Sequence, residues 1–336
     1  MSAWSVLIPD RLSPPADFEQ QELGADTHII LGQTRESAKI PDTAWAAADA
    51  VIVWHEMTLD ASVIAKLVRC KVIVRCGVGF DNVDLEAAGR KGIPVCNVPD
   101  YGTADVADHS MALLLSLMRG LPAFDAAARE PRTWVWTSSA GVLRRIAGAR
   151  LGLIGLGRIG SAVALRAKAF GMHVRYYDPY LPDGYDKVLG IERAHTLDDL
   201  LPELHAVSFH VPLTDETRGM GSAAFFAKLS PGTVLINTAR GGLVQLDALE
   251  EAMRSGQVGA AGLDVLSTEP ASQADPLIAA WHRSDDWIRH RLIISPHAAF
   301  YCAESYEEMR RKAARTVREV LTGQPPRNAV NQTWLM

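Results

Sequence analysis

Three polar residues stand where a short apolar run gives way to a turn. Arg240 follows Ile236-Asn237-Thr238-Ala239 and precedes Gly241-Gly242, Glu269 comes a few residues after Leu263-Asp264 and precedes Pro270, and His297 follows Ile294-Ser295-Pro296 and precedes Ala298-Ala299. These residue types suit the reduction of a ketone by hydride. Hydride addition leaves an alkoxide, which needs a proton donor beside it, and histidine titrates in the useful range. A neighbouring carboxylate would fix the imidazole tautomer, and a guanidinium could bind a substrate carboxylate in bidentate fashion and polarise the keto oxygen. Taken singly, a loop Arg, Glu or His is more often a solvated surface group, so spacing alone leaves the trio open.

A hydride needs a carrier. The string Gly155-Leu156-Gly157-Arg158-Ile159-Gly160 sits between the apolar run Leu151-Gly152-Leu153-Ile154 and a helical pattern that puts Ile159, Val163, Ala167 and Phe170 on one face before Gly171. The next apolar run ends in Tyr176-Tyr177-Asp178. Each part has a mechanical reason in a dinucleotide site: Gly155 makes the tight turn, Gly157 lets backbone approach a pyrophosphate, and Gly160 lets the helix pack close to its strand. The pyrophosphate sits on the helix N-terminus. Asp178 would accept bonds from the adenosine ribose and repel a 2'-phosphate, which favours NAD over NADP.

The elements that must hold these residues alternate. Short β-rich runs at 5–9, 27–31, 50–54, 72–75 and 93–96 are separated by helical patterns, which predicts a small parallel α/β domain. A helix is predicted from Ala104 to Arg119, with Val106, Ser110, Leu113, Leu114, Leu117 and Met118 on one stripe. Beyond a less regular stretch holding Trp134 and Trp136, which would pack a domain interface or gate a substrate, a second alternation starts at Arg150. Its six runs, at 151–154, 174–177, 206–209, 233–236, 260–263 and 292–295, have the spacing of a doubly wound sheet. An amphipathic helix from Ala303 to Thr322 follows, and periodicity does not say which domain it joins.

Composition narrows the partners. The chain has 336 residues, 48% hydrophobic and 22% charged, enough for two modest cores. With a net charge of -5 and no basic run longer than Arg310-Arg311-Lys312, neither nucleic acid nor a membrane surface is an expected partner. No targeting or membrane-spanning segment is read, so a cytoplasmic location is expected. Cys70, Cys76, Cys96 and Cys302 lack metal or redox spacing and are expected as free thiols, and His55, His173, His205 and His282 show no ligand spacing, so no metal is expected.

The strings Asn237 to Gly242, Gly262-Leu263-Asp264-Val265 through Glu269-Pro270, and Ser295 to Ala299 resemble signatures of the D-isomer-specific 2-hydroxyacid dehydrogenases. Arg75 to Asp84 and Cys96 to Pro99 are similar to that family's substrate-loop region, and within the family Gly157 to Gly171, Tyr177 to Leu181 and Pro296 to Tyr301 are most similar to the C-terminal binding protein branch. The resemblance implies two doubly wound parallel-sheet domains: an NAD-binding Rossmann domain over 102–299, inserted in a flavodoxin-like substrate-binding domain made of 1–101 and 300–336. It implies Arg240 as substrate anchor, Glu269 as partner of His297, His297 as general acid and base, and the backbone N–H groups of Val78 and Gly79 as holders of the substrate carboxylate. It also implies Asp264 at the nicotinamide amide, Thr238, Ala239 and Val106 around the nicotinamide, and His210, Val211, Pro212 and Thr217 along the adenosine side. Glu rather than Gln at 269 argues against the formate dehydrogenase branch. The expected activity is hydride transfer between NAD(H) and a small 2-hydroxy or 2-keto acid by a homodimer. The alternative is an NAD(H)-sensing, co-repressor-like interaction protein with weak dehydrogenase activity. Trp54, His55, Tyr101, Trp134 and Trp136 are the possible pocket neighbours, and they leave the substrate open.

Overall fold

The computed structural model describes residues 4–10, 12, 14–129 and 143–335. Trp134 and Trp136 lie outside the described residues. The chain forms two compact units, one of Met1–Gly102 with Tyr301–Met336 and one of Thr103–Phe300.

In the first unit, β1 (Ser5–Ile8), β2 (His28–Leu31), β3 (Ala50–Val53), β4 (Ile73–Arg75) and β5 (Val95–Asn97) form an all-parallel sheet in the order β2-β1-β3-β4-β5. This is the flavodoxin-like order. The central strand β3 is buried at all four positions, as a run of Ala, Val and Ile covered on both faces should be. Cover for this sheet includes the helix Ala303–Leu321, which packs on β3, β4 and the helix Asp17–Leu23. The apparent basic run is therefore neutralised within this unit, and its first residue is buried. The Arg310 guanidinium pairs with Glu19 at 2.6 Å, with the side chains 5% and 2% exposed, and lies over the rings of Phe18 and Tyr306. Arg311 pairs with Glu307 and Lys312 with Asp100. Asp10, just after β1, is buried and accepts bonds from the N–H groups of Trp54 and Met57. Burial outweighs those bonds and pushes its carboxyl up to about 6.

In the second unit, β6 (Arg150–Ile154), β7 (His173–Tyr177), β8 (Glu192–Arg193), β9 (Ala206–Phe209), β10 (Thr233–Asn237), β11 (Val258–Leu263) and β12 (Leu292–Ile294) form a parallel sheet. Its order is β12-β11-β10-β9-β6-β7-β8, with β6 and β9 adjacent where the winding reverses. That point is where such sheets bind ligands. One strand exceeds the six expected: β8 is a two-residue edge strand of Glu192 and Arg193, with no apolar run to announce it. One face carries a core of Phe209, Phe225, Leu235 and Leu249, the other a core of Leu151, Leu153, Val163, Met111 and Ile236. The helix Thr103–Met118 lies on this second face and buries Val106, Ser110, Leu113, Leu114, Leu117 and Met118. It sits so close to β11 that a Cβ on Gly262 would meet the Leu113 side chain at 3.0 Å.

Candidate active site

The glycine triplet divides the labour by geometry. Gly155 has φ +89, and a Cβ there would come within 2.8 Å of the His210 carbonyl oxygen. A Cβ on Gly160 would lie 2.3 Å from the Gly155 oxygen, so only glycine lets the helix Arg158–Ala169 start this close to β6. Gly157 differs: a Cβ on it would meet nothing within 4 Å, and it caps that helix with no side-chain bond. Open space beside the N–H groups of a helix start fits a pyrophosphate. Arg158 is exposed and Ile159 half-buried on the same first turn.

Asp178, after β7, accepts from Leu156 N through Oδ2 and from Tyr180 N through Oδ1, both at 3.0 Å. A carboxylate has about four acceptor positions, so roughly two remain for ribose hydroxyls. A guanidinium beside Asp178 is committed: Arg193 pairs with Asp183 and donates to the carbonyls of Asp178 and Leu181. That leaves it poorly placed to receive a 2'-phosphate. His210, after β9, lies 2.9 Å through Nε2 from Ser208 Oγ, and burial pushes its pKa down to about 4, so it stays neutral. Val211 lies beside Gly155, and Thr217 shapes the turn by donating to the Pro212 carbonyl at 2.7 Å.

The other expected residues cluster at the ends of β10, β11 and β12, three adjacent strands. Asn237 folds the turn before Arg240, accepting from Ala239 N and donating to the Arg240 carbonyl. A Cβ on Gly241 would lie 1.9 Å from the Leu266 carbonyl carbon, so the Arg240 turn runs against the backbone that leads to Glu269. Glu269 accepts from Leu266 N at 2.9 Å through Oε1, and its Oε2 lies 2.8 Å from His297 Nδ1. His297 has φ +54, a left-handed conformation that a non-glycine residue rarely holds. Asp264, 2% exposed, accepts from the N–H groups of Ala298 and Ala299, both at 2.9 Å. Thr238 and Val106 are also buried.

In the first unit, the loop after β4 is held by its carbonyls. Asn97 Nδ2 donates to Val78 O at 2.6 Å and Val98 N to Gly77 O at 3.0 Å. Among the described residues, none accepts a bond from the N–H of Val78 or Gly79. Asn82 ties this loop to the one after β3 by donating to the carbonyls of Trp54 and Met57.

Residues 111–299 match the family model for the NAD binding domain of D-isomer specific 2-hydroxyacid dehydrogenases. The chain belongs to that family. Over 335 residues it is 38% identical to the D-3-phosphoglycerate dehydrogenase of Mycobacterium tuberculosis, covering 98% of this chain and 59% of that protein, so it spans under two thirds of that relative's length. The crystal structure of D-lactate dehydrogenase from Aquifex aeolicus, complexed with NAD and lactic acid, superposes with a TM-score of 0.85 at 30% identity, covering 95% of this chain and 96% of that one. An NADPH-dependent glyoxylate/hydroxypyruvate reductase from Sinorhizobium meliloti gives a TM-score of 0.84 at 26% identity, covering 98% and 97%.

As a member of the D-isomer specific 2-hydroxyacid dehydrogenases, the chain uses NAD, and the glycine turn with Asp178 is where its residues fit that group. Sequence reasoning gives Asp264 only a cofactor contact and passes over its hold on the turn that carries His297. Leu266 and Asn237 also escape it, because a backbone donor and a turn-forming amide carry no catalytic signature in a sequence.

Proposed function

We propose that this chain is a dehydrogenase that exchanges a hydride between NAD(H) and the alpha carbon of a small 2-hydroxy or 2-keto acid. The observation that carries this reading is the 2.8 Å contact between Glu269 and His297. With Nδ1–H donated to Glu269, His297 is left with Nε2 to give a proton to the keto oxygen in reduction and to take it back in oxidation. Arg240 anchors the substrate carboxylate and polarises the carbonyl, and in the first unit the N–H groups of Val78 and Gly79 are the carboxylate donors on their own loop. NADH, when bound, supplies the hydride. One carboxylate oxygen position on Asp264 remains for the nicotinamide amide.

An unphosphorylated acid is the first substrate class to test: Arg35 is paired with Glu56 and Lys312 with Asp100, so neither is an uncommitted cation for a phosphate dianion. Trp54 and Tyr101 are buried in the same unit and suit a compact or aryl substrate.

The test is NADH oxidation followed by absorbance over glyoxylate, pyruvate, hydroxypyruvate and aryl 2-keto acids, with NAD reduction by D-3-phosphoglycerate as the contrast. The expected result is turnover of an unphosphorylated acid, reduced by about 10²-fold or more in His297→Gln. NADH binding without turnover of any acid would point to the cofactor-sensing alternative.

A further inference from the structure

We infer that His109, on the helix Thr103–Met118, is a positioning residue that holds the turn carrying His297 through a chain of two hydrogen bonds, from His109 to Ser295 to Asp264. The inference rests on the dehydrogenase reading only for its kinetic consequence.

The direction of the chain follows from donor counting. Ser295 Oγ donates to Asp264 Oδ1 at 2.6 Å, because a carboxylate can only accept. A hydroxyl has one proton, so the Ser295 oxygen must accept from His109 Nε2, 2.9 Å away. His109 therefore carries a proton on Nε2, which also lies 3.7 Å from Asp264 Oδ1. The far end of the chain is what needs support. His297 sits at φ +54, and a strained conformation of this kind persists only where its surroundings over-determine it. The surroundings are Asp264: its carbonyl accepts from His297 N at 2.8 Å and its carboxylate from Ala298 N and Ala299 N. Without Ser295 and His109, Oδ1 loses a strong neutral donor and the imidazole dipole behind it, in a place that is 2% exposed and cannot recruit water freely.

The neighbouring residue does the same for the other turn. Ser110 Oγ lies 2.7 Å from Thr238 Oγ1 and donates to the Val106 carbonyl, so consecutive residues of one helix brace the turns leading to Arg240 and to His297. The helix itself is immobilised by its buried stripe. A rigid element supporting a reactive side chain through an intermediate layer is how sub-ångström placement is kept.

The experiment compares His109→Ala, His109→Gln, Ser295→Ala and the His109→Ala/Ser295→Ala double variant, by kinetics and by amide hydrogen exchange of the 295–299 segment. Gln can present an N–H to Ser295, so it should restore what Ala removes. We expect His109→Ala to lower kcat by about tenfold to a hundredfold, with NADH affinity and substrate KM within about threefold. Exchange at Ala298 and Ala299 should rise by about tenfold or more, without a matching rise across the rest of the unit. His109→Gln should recover most of both, and the double variant should be no worse than the single ones. Unchanged exchange in His109→Ala, no rescue by Gln, or additive losses in the double variant would each overturn the inference. Because exchange needs no substrate, an inactive wild-type protein with the expected exchange changes would remove the dehydrogenase reading and leave the brace standing.

Discussion

Glu269 Oε2 lies 2.8 Å from His297 Nδ1 while Oε1 of the same carboxylate accepts from Leu266 N. One side chain thus fixes the imidazole's tautomer and is itself fixed by the turn. Glutamine cannot do both in the same way: if its oxygen keeps Leu266, its amide faces Nδ1 and forces the proton onto Nε2. Glu269→Gln and Glu269→Ala are both expected to lower kcat by about 10²-fold while the melting temperature moves by only a few degrees. Steady-state NADH oxidation beside thermal unfolding checks this, and an undiminished kcat in either variant would take Glu269 out of the mechanism.

Asp178 serves two masters, the N–H groups of Leu156 and Tyr180 and, by our reading, the ribose. Asp178→Ala should raise the KM for NAD by about tenfold and narrow the preference for NAD over NADP by a similar factor, as the repulsive charge disappears. Two peptide donors lose their acceptor, so stability should fall by about 1–2 kcal/mol. Parallel titrations with NAD and NADP decide the matter; an unchanged cofactor ratio would show that something else sets it.

His210 gives the unfolding equilibrium a pH dependence of known sign. Its native pKa, about 4, lies below its ordinary value of 6.5. Between those values the unfolded chain binds a proton that the native protein does not, so stability is lost as pH falls through this window. Asp10 acts oppositely: its carboxyl, raised from 3.8 to about 6, takes up a proton first in the native state, so stability is gained as pH falls between those values. The raw slope therefore mixes the two, and the informative quantity is the difference between wild type and His210→Asn. Urea midpoints measured from pH 7.5 to pH 5 without cofactor should fall more steeply for the wild type. Parallel curves would mean that His210 titrates normally.

Some of this was legible because the chemistry leaves one residue type. At Gly155 a positive φ and at Gly160 a 2.3 Å approach admit only glycine, so the triplet announces its turn from sequence. The run that became β3 is equally plain, since a strand covered on both faces reads as apolar throughout, and β9 and β10 keep an apolar majority, Ser208, Thr233 and Asn237 being buried with hydrogen-bond partners. Strand β8 was not, because a two-residue edge strand of Glu192 and Arg193 buries too little to leave a pattern. Periodicity also shows that the helix Ala303–Leu321 has a buried face without saying what covers it; the partner, Glu19 with the helix around it, lies nearly 300 positions away. His109 escaped for a similar reason. It borders the buried stripe of its helix, and only the return of β12 brings Ser295 to it.

The order in which the chain is made has a consequence for the first unit. Its five strands are complete by Asn97, yet the helix Ala303–Leu321 that covers β3 and β4 is translated some two hundred residues later. At about 5–20 residues per second, that helix follows the sheet by about 10–40 s. Throughout that interval β3 and β4 lack the cover this helix provides, while the seven-stranded unit is contiguous in sequence. The early strands are therefore the part of this protein that waits for cover made long after them during synthesis.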